Sequence, residues 1–386
     1  MACSGYRDTR QLRVRNKSLA VIRKVLKNAL PVETPSLALP VDLQARDAFF
    51  AYYITNTSKC WDFLKRYYHP TDSPYHLTLA IEAVSLAYLW HQVYSEAALA
   101  TARERYILAL RMTNKAVKSP KEAAKDTTLL ASLLLDLFEK ITNSEPRNKN
   151  LWRSHVDGAL ALVNLRGLER FQDPVEFQVL ERLSTNYLVS CVASGSSVPD
   201  ELITIRTYVG KHIDVQDNKW RLSDLMVLYA NLLSDIRRDI LSYDECIRRS
   251  IELDQEFQAI HLDMPSAWQY SRTFLDDTSE RAFGLHFDSY PHRNVTNAWN
   301  FLRVVRILSN QSLIELYLAS TADEKTLSWI EMAYYNIKML AGEICASAPQ
   351  YVDCDGPART KLPAPETPEA RGYGPAHAHT PNHQSR

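Results

Sequence analysis

The sequence predicts an all-α protein of irregular stacked helix pairs, solenoid-like or bundle-like, that ends in a disordered tail. Three observations support this fold class. Apolar residues recur every three or four positions through most of the chain, which is the period of an amphipathic helix. Glycine accounts for only 10 of the 386 residues, too few for a typical all-β fold or for glycine-rich phosphate-binding loops. No segment shows the sustained alternation of apolar and polar residues that a half-buried strand requires.

The charge balance argues against a protein that is drawn as a whole to nucleic acid or to a membrane. Lys+Arg and Asp+Glu both number 45, so the formal net charge is +0 and any such attraction must be local. No apolar run is long enough to span a bilayer, and no apolar signal core follows the N-terminus. The six cysteines are irregularly spaced without a C-x-x-C pair, which favours reduced, mostly buried thiols in a cytosolic or nuclear protein.

Composition divides the chain into three parts. Residues 1–41 are a basic segment followed by a proline-rich linker, and residues 42–352 are the helical body. Residues 353–386 hold almost no large apolar side chains, so we expect a disordered tail. The basic segment either contacts a phosphate backbone, directs nuclear import or is a solvated arm. Its candidate phosphate-contacting residues are Arg7, Arg10, Arg13, Arg15 and Lys17.

Proline and serine residues predict where the first helices of the body begin. Helical periodicity begins near Asp42, and the next helix is predicted over 73–93, with Pro74 at its first helical position. Ser95 is predicted to cap the helix that follows, because its hydroxyl can accept a hydrogen bond from a free N–H group of the first turn.

The remaining helices follow the same logic. Asp126 is predicted to cap a leucine-striped helix that is wide enough in its apolar face to be a core element. The next helix is predicted to stop at Gly167, with Arg166 in its last turn, where a cation is favourable. In the second half, helices are predicted near 174–193, 221–241, 243–262, 294–320 and 324–346.

No known catalytic motif is present in the sequence. There is no H-E-x-x-H, G-x-S-x-G or P-loop pattern, and the adjacent Asp276 and Asp277 point in different directions. His155 lacks a visible nucleophile or acid as a partner, so we interpret it as structural. The stretch "HAHTPNH" (377–383) spaces three imidazoles that could hold a metal, but it lies in the predicted tail without residues to orient them. We therefore predict no catalytic, cofactor or metal site, and no enzyme.

Several segments, in order, closely resemble the regulatory region of fungal Zn₂Cys₆ (zinc-cluster) transcription factors. They are "AALATARERYILALRM", "DTTLLASLLLDLFE", "WRSHVDGALALVNLRG", "VTNAWNFLRVVRILSNQSLIE" and "EICASAPQYV". The resemblance spans roughly residues 1 to 352 and implies an all-α regulatory domain. The residues that it marks as structural are Asp126, Glu139, Trp152, His155, Gly158, Arg166, Gly167, Trp299 and Asn300.

The first residues also resemble part of this family. "CSGYRD" (3–8) is similar to the exit of the zinc module, which would make Cys3 the last of six cysteine ligands. The other five are absent, and one thiolate cannot hold zinc, since a structural site needs four ligands. Cys3 is thus at most a remnant ligand, and we expect no bound zinc unless a cluster lies upstream. The chain looks clipped at both ends relative to the family.

The resemblance implies a fungal transcription regulator in the nucleus. Factors of this family often govern one metabolic or secondary-metabolite gene cluster, and we expect the same of this chain. Its expected partners are other transcription factors or coregulators, with only weak contact to DNA through the basic segment and none to a membrane. The alternative is a helical-repeat interaction scaffold unrelated to transcription. The chain shows no fixed repeat period, which such a scaffold requires.

Overall fold

Helices form almost all of the described part of the chain, which confirms the predicted fold class. The computed structural model describes residues 39–55, 60–142, 151–277, 282–318 and 324–352. The basic segment up to residue 38 and the predicted tail (353–386) lie outside the described residues.

Seven helices make up the first half of the described body. They are α1 (Val41–Phe49, continued by a π-helical turn at Phe50–Thr55), α2 (Leu64–Tyr67), α3 (Tyr75–Val93), α4 (Glu96–Val117), α5 (Pro120–Ala123), α6 (Asp126–Thr142) and α7 (Leu151–Arg166).

Two of the residues predicted at helix ends, Ser95 and Gly167, are confirmed. Ser95 is confirmed as the cap of α4, because its Oγ accepts from the Ala98 N–H at 3.3 Å. Gly167 is confirmed at the end of α7, with a positive φ of 82°. Pro74 lies one position before that predicted, since its carbonyl accepts the first hydrogen bonds of α3 and it is the N-cap.

The prediction for Asp126 is wrong. Asp126 lies inside the first turn of α6, and the Lys125 carbonyl accepts the first hydrogen bonds of the helix. The Asp126 carboxylate contacts Arg166 of α7. An acid in the first turn still favours the helix, because it complements the positive end of the helix dipole.

The second half contains the remaining helices and one hairpin. They are α8 (Pro174–Ser194), α9 (Asp200–Val209), α10 (Asn218–Arg237), α11 (Tyr243–Leu262), β1 (Ser271–Phe274), β2 (His286–Ser289), α12 (Arg293–Leu318), α13 (Glu324–Ser347) and α14 (Pro349–Val352). Single 3₁₀ turns lie at Leu168–Arg170 and Ser266–Trp268. The sequence predicted neither α9 nor the hairpin.

The hairpin is antiparallel, with Ser271 opposite Ser289 and Phe274 opposite His286. Arg272 and Asp288 lie opposite each other and form two hydrogen bonds of 2.8 and 2.9 Å. Asp288 is fully buried, so this ion pair holds the two strands of the hairpin together, while β2 contacts the last two helices of the body.

Helices that follow one another in the chain mostly pack as neighbours. In the first half α3 is central and contacts α1, α4 and α6, while α7 packs between α6 and α8. In the second half α10, α11, α12 and α13 pack in sequence, and β2 contacts α13. This arrangement is the predicted stacking of helix pairs.

The buried apolar residues form two clusters. The first extends over α1 to α10, and the second over α10, α11, α12 and the segments around the hairpin. Helix α10 contributes to both: Met226 and Ala230 lie in the first cluster, and Leu222, Tyr229 and Leu232 lie in the second. It is one link between the two clusters, and Val192 of α8 and Phe301 of α12 also pack against both.

Candidate functional site

Glu139 and His155 are two of the residues that the family resemblance marks as structural. They lie on separate helices, and the side chain of Tyr106 contacts both. The Tyr106 hydroxyl on α4 donates to Glu139 on α6 and lies 3.0 Å from His155 Nε2 on α7. His155 Nε2 is 3.7 Å from the Glu139 carboxylate. The Tyr106 ring stacks on Phe138 with ring centroids 4.4 Å apart. This triad holds α4, α6 and α7 together.

Burial raises the pKa of Tyr106, and the hydrogen bond to Glu139 raises it further. A phenol with a raised pKa keeps its proton at neutral pH, and a protonated phenol is the form that donates to a carboxylate. Tyr106 therefore remains the donor of the hydrogen bond to Glu139 at neutral pH.

Asp126 and Arg166 form a second meeting point of marked residues. Their side chains are paired between α6 and α7, and Arg166 Nη2 lies 3.8 Å from Glu176 Oε1 on α8. The Arg166 guanidinium also lies over the Phe171 ring, 4.4 Å from its centroid. One arginine thus joins three consecutive helices.

The two marked glycines differ in what the structure requires of them. At Gly167 the backbone is in a positive-φ conformation, and a Cβ there would approach Glu169, so glycine is required. At Gly158 a Cβ would meet nothing within 4 Å. Trp152 lies in the first turn of α7, and its side chain lies outside the described residues.

The third meeting point joins two segments that the resemblance quotes separately. Arg303 on α12 donates from Nε to Glu343 on α13 at 2.9 Å and from Nη1 to the Tyr290 hydroxyl at 2.7 Å. Asn300 accepts a 2.9 Å hydrogen bond from Arg303 and donates to Ser347 Oγ at 2.8 Å. The "WNFLR" and "EICAS" segments are therefore partners across the α12–α13 contact.

Aromatic rings surround the Arg303 guanidinium. Its central carbon lies 5.3, 5.6 and 5.7 Å from the ring centroids of Trp299, Tyr270 and Tyr290. Trp299 is buried and donates from Nε1 to the Trp268 carbonyl at 2.9 Å. His261 meets the Trp299 ring edge-on at 4.8 Å, and burial lowers the pKa of this imidazole.

Sequence reasoning missed a further buried arginine, Arg206 on α9. It donates to Ser184 and Ser223 at 2.8 and 2.9 Å, pairs with Asp224 and lies 4.3 Å from the Trp220 ring centroid. It lines an open groove of about 420 Å³ between α9 and α10. A sequence indication exists, because Leu202, Ile205, Arg206 and Val209 share the i, i+3, i+4, i+7 spacing of one buried helix face.

Neither a metal centre nor a membrane span emerges from the described residues. Within them, no cluster of three or more His, Cys, Asp or Glu side chains could hold a metal ion. No helix in the same ranges is long and apolar enough to cross a membrane. The four cysteines within them, Cys60, Cys191, Cys246 and Cys345, form no disulfide bond. Cys3, the "HAHTPNH" stretch and the candidate phosphate-contacting residues (Arg7, Arg10, Arg13, Arg15 and Lys17) lie outside the described residues.

Comparison with known protein families identifies the family of this chain. No curated protein and no solved structure matches the chain. Residues 45–322 match the family described as the fungal specific transcription factor domain. The match covers most of the chain and runs from α1 to just beyond α12, so it includes all three meeting points except the α13 side of the third. The chain therefore belongs to the family of fungal-specific transcription factor domains.

Proposed function

We propose that this fungal transcription regulator acts in the nucleus and controls the genes of one metabolic or secondary-metabolite cluster through protein contacts made by its helical body. The observation that carries the proposal is the family match over residues 45–322. The partners are other transcription factors or coregulators. They recognise the outer surface that the stacked helices present.

The marked residues serve this function as a framework. Asp126 pairs with Arg166, Glu139 with Tyr106 and His155, and Asn300 with Arg303 and Ser347. Each of these groups includes a contact between side chains on different helices of the same chain. Partly buried pairs of this kind fix the relative positions of helices, which a surface for partner recognition requires.

The basic segment supplies a weak, sequence-independent contact to DNA. Arg7, Arg10, Arg13, Arg15 and Lys17 can each neutralise a phosphate, and binding of that kind weakens steeply as salt rises. Cys3 holds no zinc by itself, because a structural site needs four ligands. Target choice would then come from the partner protein.

Deletion of the gene followed by sequencing of total RNA tests this proposal. We expect a contiguous group of genes to change expression together and to recover when the intact coding sequence is returned. A strain complemented with all five basic residues changed to Ala measures the contribution of the DNA contact. Unchanged transcript levels across every gene cluster, under conditions in which the gene is expressed, would contradict the proposal.

A reporter assay separates the regulator from the helical-repeat scaffold. The full chain is fused to an unrelated DNA-binding domain and expressed with a reporter that carries that domain's site. A transcription regulator raises or lowers reporter expression relative to the DNA-binding domain alone. A scaffold unrelated to transcription leaves the reporter at the level of that control.

A further inference from the structure

Among the residues that the structure describes, helix α13 packs against the body through one of its faces. Asn336, Leu340 and Glu343 face α12, where Asn336 bonds Asn310 and Glu343 bonds Arg303. The opposite face is exposed although it carries large apolar side chains. Leu327, Tyr334 and Tyr335 are 55%, 57% and 60% exposed. Tyrosine and methionine are enriched at protein interfaces, and clustered exposed apolar residues mark interaction sites.

The exposed face has a regular stripe along its centre. Its members are spaced three or four residues apart, apart from the adjacent tyrosines, so they lie on one side of the helix. They are Leu327, Glu331, Tyr334, Tyr335, Lys338 and Gly342. Met332 and Met339 flank this stripe on one side and are also exposed.

The stripe is complementary to itself in the antiparallel direction. A twofold axis placed between Tyr334 and Tyr335 puts each member opposite a member of the stripe of the second copy. At equal heights along the helix, Leu327 lies opposite Gly342 and Glu331 opposite Lys338. Tyr334 and Tyr335 are about 100° apart around the helix, so each lies beside the axis and meets the same tyrosine of the second copy. An isologous interface needs this property, because the same patch must fit itself.

Charge and shape both agree with the pairing. Glu331 and Lys338 are exposed and about 10.5 Å apart along the helix axis, too far to pair within one helix. In the antiparallel pair each meets its opposite charge on the other copy. At Gly342 a Cβ would meet nothing within 4 Å, so space is open for the Leu327 side chain of the second copy.

We propose that α13 is a homodimerisation helix, which pairs with α13 of a second copy of this chain in antiparallel orientation about Tyr334 and Tyr335. The twofold axis brings Met332 and Met339 of both copies along the same edge of the interface. The self-complementary stripe favours a second copy over an unrelated partner, which would not need opposed charges placed symmetrically. This interface goes beyond the proposed function, because it lies outside the matched residues 45–322 and is tested without transcription.

Sedimentation velocity of the purified full chain over a wide concentration range tests the pairing. We expect a monomer–dimer equilibrium. The substitutions Glu331→Lys and Lys338→Glu, made singly, each replace two attractive pairs by two repulsive ones, so each weakens dimerisation about tenfold or more. The double substitution Glu331→Lys with Lys338→Glu restores both pairs and therefore returns the dissociation constant to near that of the unchanged chain.

A matched control and an apolar variant complete the test. Glu256→Lys reverses an exposed charge on α11 and should leave dimerisation unchanged. Tyr334→Ser with Tyr335→Ser should abolish it while the circular dichroism spectrum stays that of the folded chain. A monomer at every concentration overturns the proposal, as does a double charge reversal no better than the single ones. A dimer that is insensitive to the tyrosine changes places the interface elsewhere and also overturns it.

Discussion

Arg303 has no exposed surface, yet it carries a charge into the contact between α12 and α13. Glu343, Tyr290 and Asn300 accept its hydrogen bonds, at 2.7 to 2.9 Å. Removal of one partner from a buried ion pair leaves the other charge desolvated without compensation. We expect Arg303→Met to lower the free energy of unfolding by about 3–5 kcal/mol, measured by urea denaturation.

A surface arginine provides the control for this prediction. Arg248 on α11 contacts Glu245 and Glu252 at 2.6 Å, but its side chain is 54% exposed. Water replaces these contacts when they are lost, so Arg248→Met should change stability little. Equal losses for the two variants would show that burial of Arg303 does not determine its contribution.

The sequence indicated some of the residues in these networks but not the partners that they bond. The resemblance marks Asn300, His155 and Arg166, and the structure shows each of them bonded to another helix. The hydrogen-bond partners that join them to those helices lie 40 to 49 residues away in the chain, and helical periodicity carries no information about which faces meet. Arg206 was missed because a cation at a buried helix position is expected to be solvated unless its partner is known.

At the scale of elements, the start of α8 shows how a short sequence fixes a helix boundary. Asp173 Oδ1 accepts from the N–H groups of Val175 and Glu176, and Glu176 accepts in return from the Asp173 N–H. Pro174 occupies the first helical position, where its missing N–H costs nothing. We expect Asp173→Ala to lower the free energy of unfolding by about 1 kcal/mol, because two first-turn donors lose their acceptor.

Asp173→Asn separates the cap from the ion pair that Asp173 forms with Arg66 at 2.5 Å. Asparagine is an equally good N-cap but carries no charge. We expect Asp173→Asn to remain close to the unchanged chain in thermal denaturation, since both side chains of the ion pair are exposed by a third or more. A loss equal to that of the alanine variant would assign the effect to Arg66 instead.

Elements with strong periodicity were predicted well, and those held by distant contacts were not. Helices predicted near 174–193 and 243–262 correspond to α8 and α11 within a residue at each end. The hairpin has strands of only four residues, and the Arg272–Asp288 pair holds it more than any alternation of apolar side chains. Four residues are too few for a period-two pattern to rise above chance, so the sequence contained little to predict it.

For the molecule as a whole, the two hydrophobic clusters predict how it loses its structure. They share α10, which places Met226 in the first cluster and Leu222 in the second. Loss of the second cluster would expose one face of α10 but leave the first cluster largely covered. The body should therefore tolerate separate opening of its second half, as sub-globular unfolding units do.

Trp299→Ala tests this separation. Trp299 is among the largest fully buried side chains of the second cluster, and truncation should cost about 3–5 kcal/mol, from lost contacts and the cavity that remains. Hydrogen exchange followed by mass spectrometry should show faster exchange in peptides from α12 and α13, while α3 and α6 stay protected. In chemical denaturation the variant should unfold in two transitions.

The corresponding substitution in the first cluster gives the control for this prediction. Trp61 is as deeply buried as Trp299, but in the first cluster. Trp61→Ala should therefore speed exchange in α3 and α6 before it affects α12 and α13. If both variants instead speed exchange uniformly and unfold in one transition, α10 couples the clusters so tightly that the body is a single cooperative unit, and the exchange patterns would no longer depend on which tryptophan is removed.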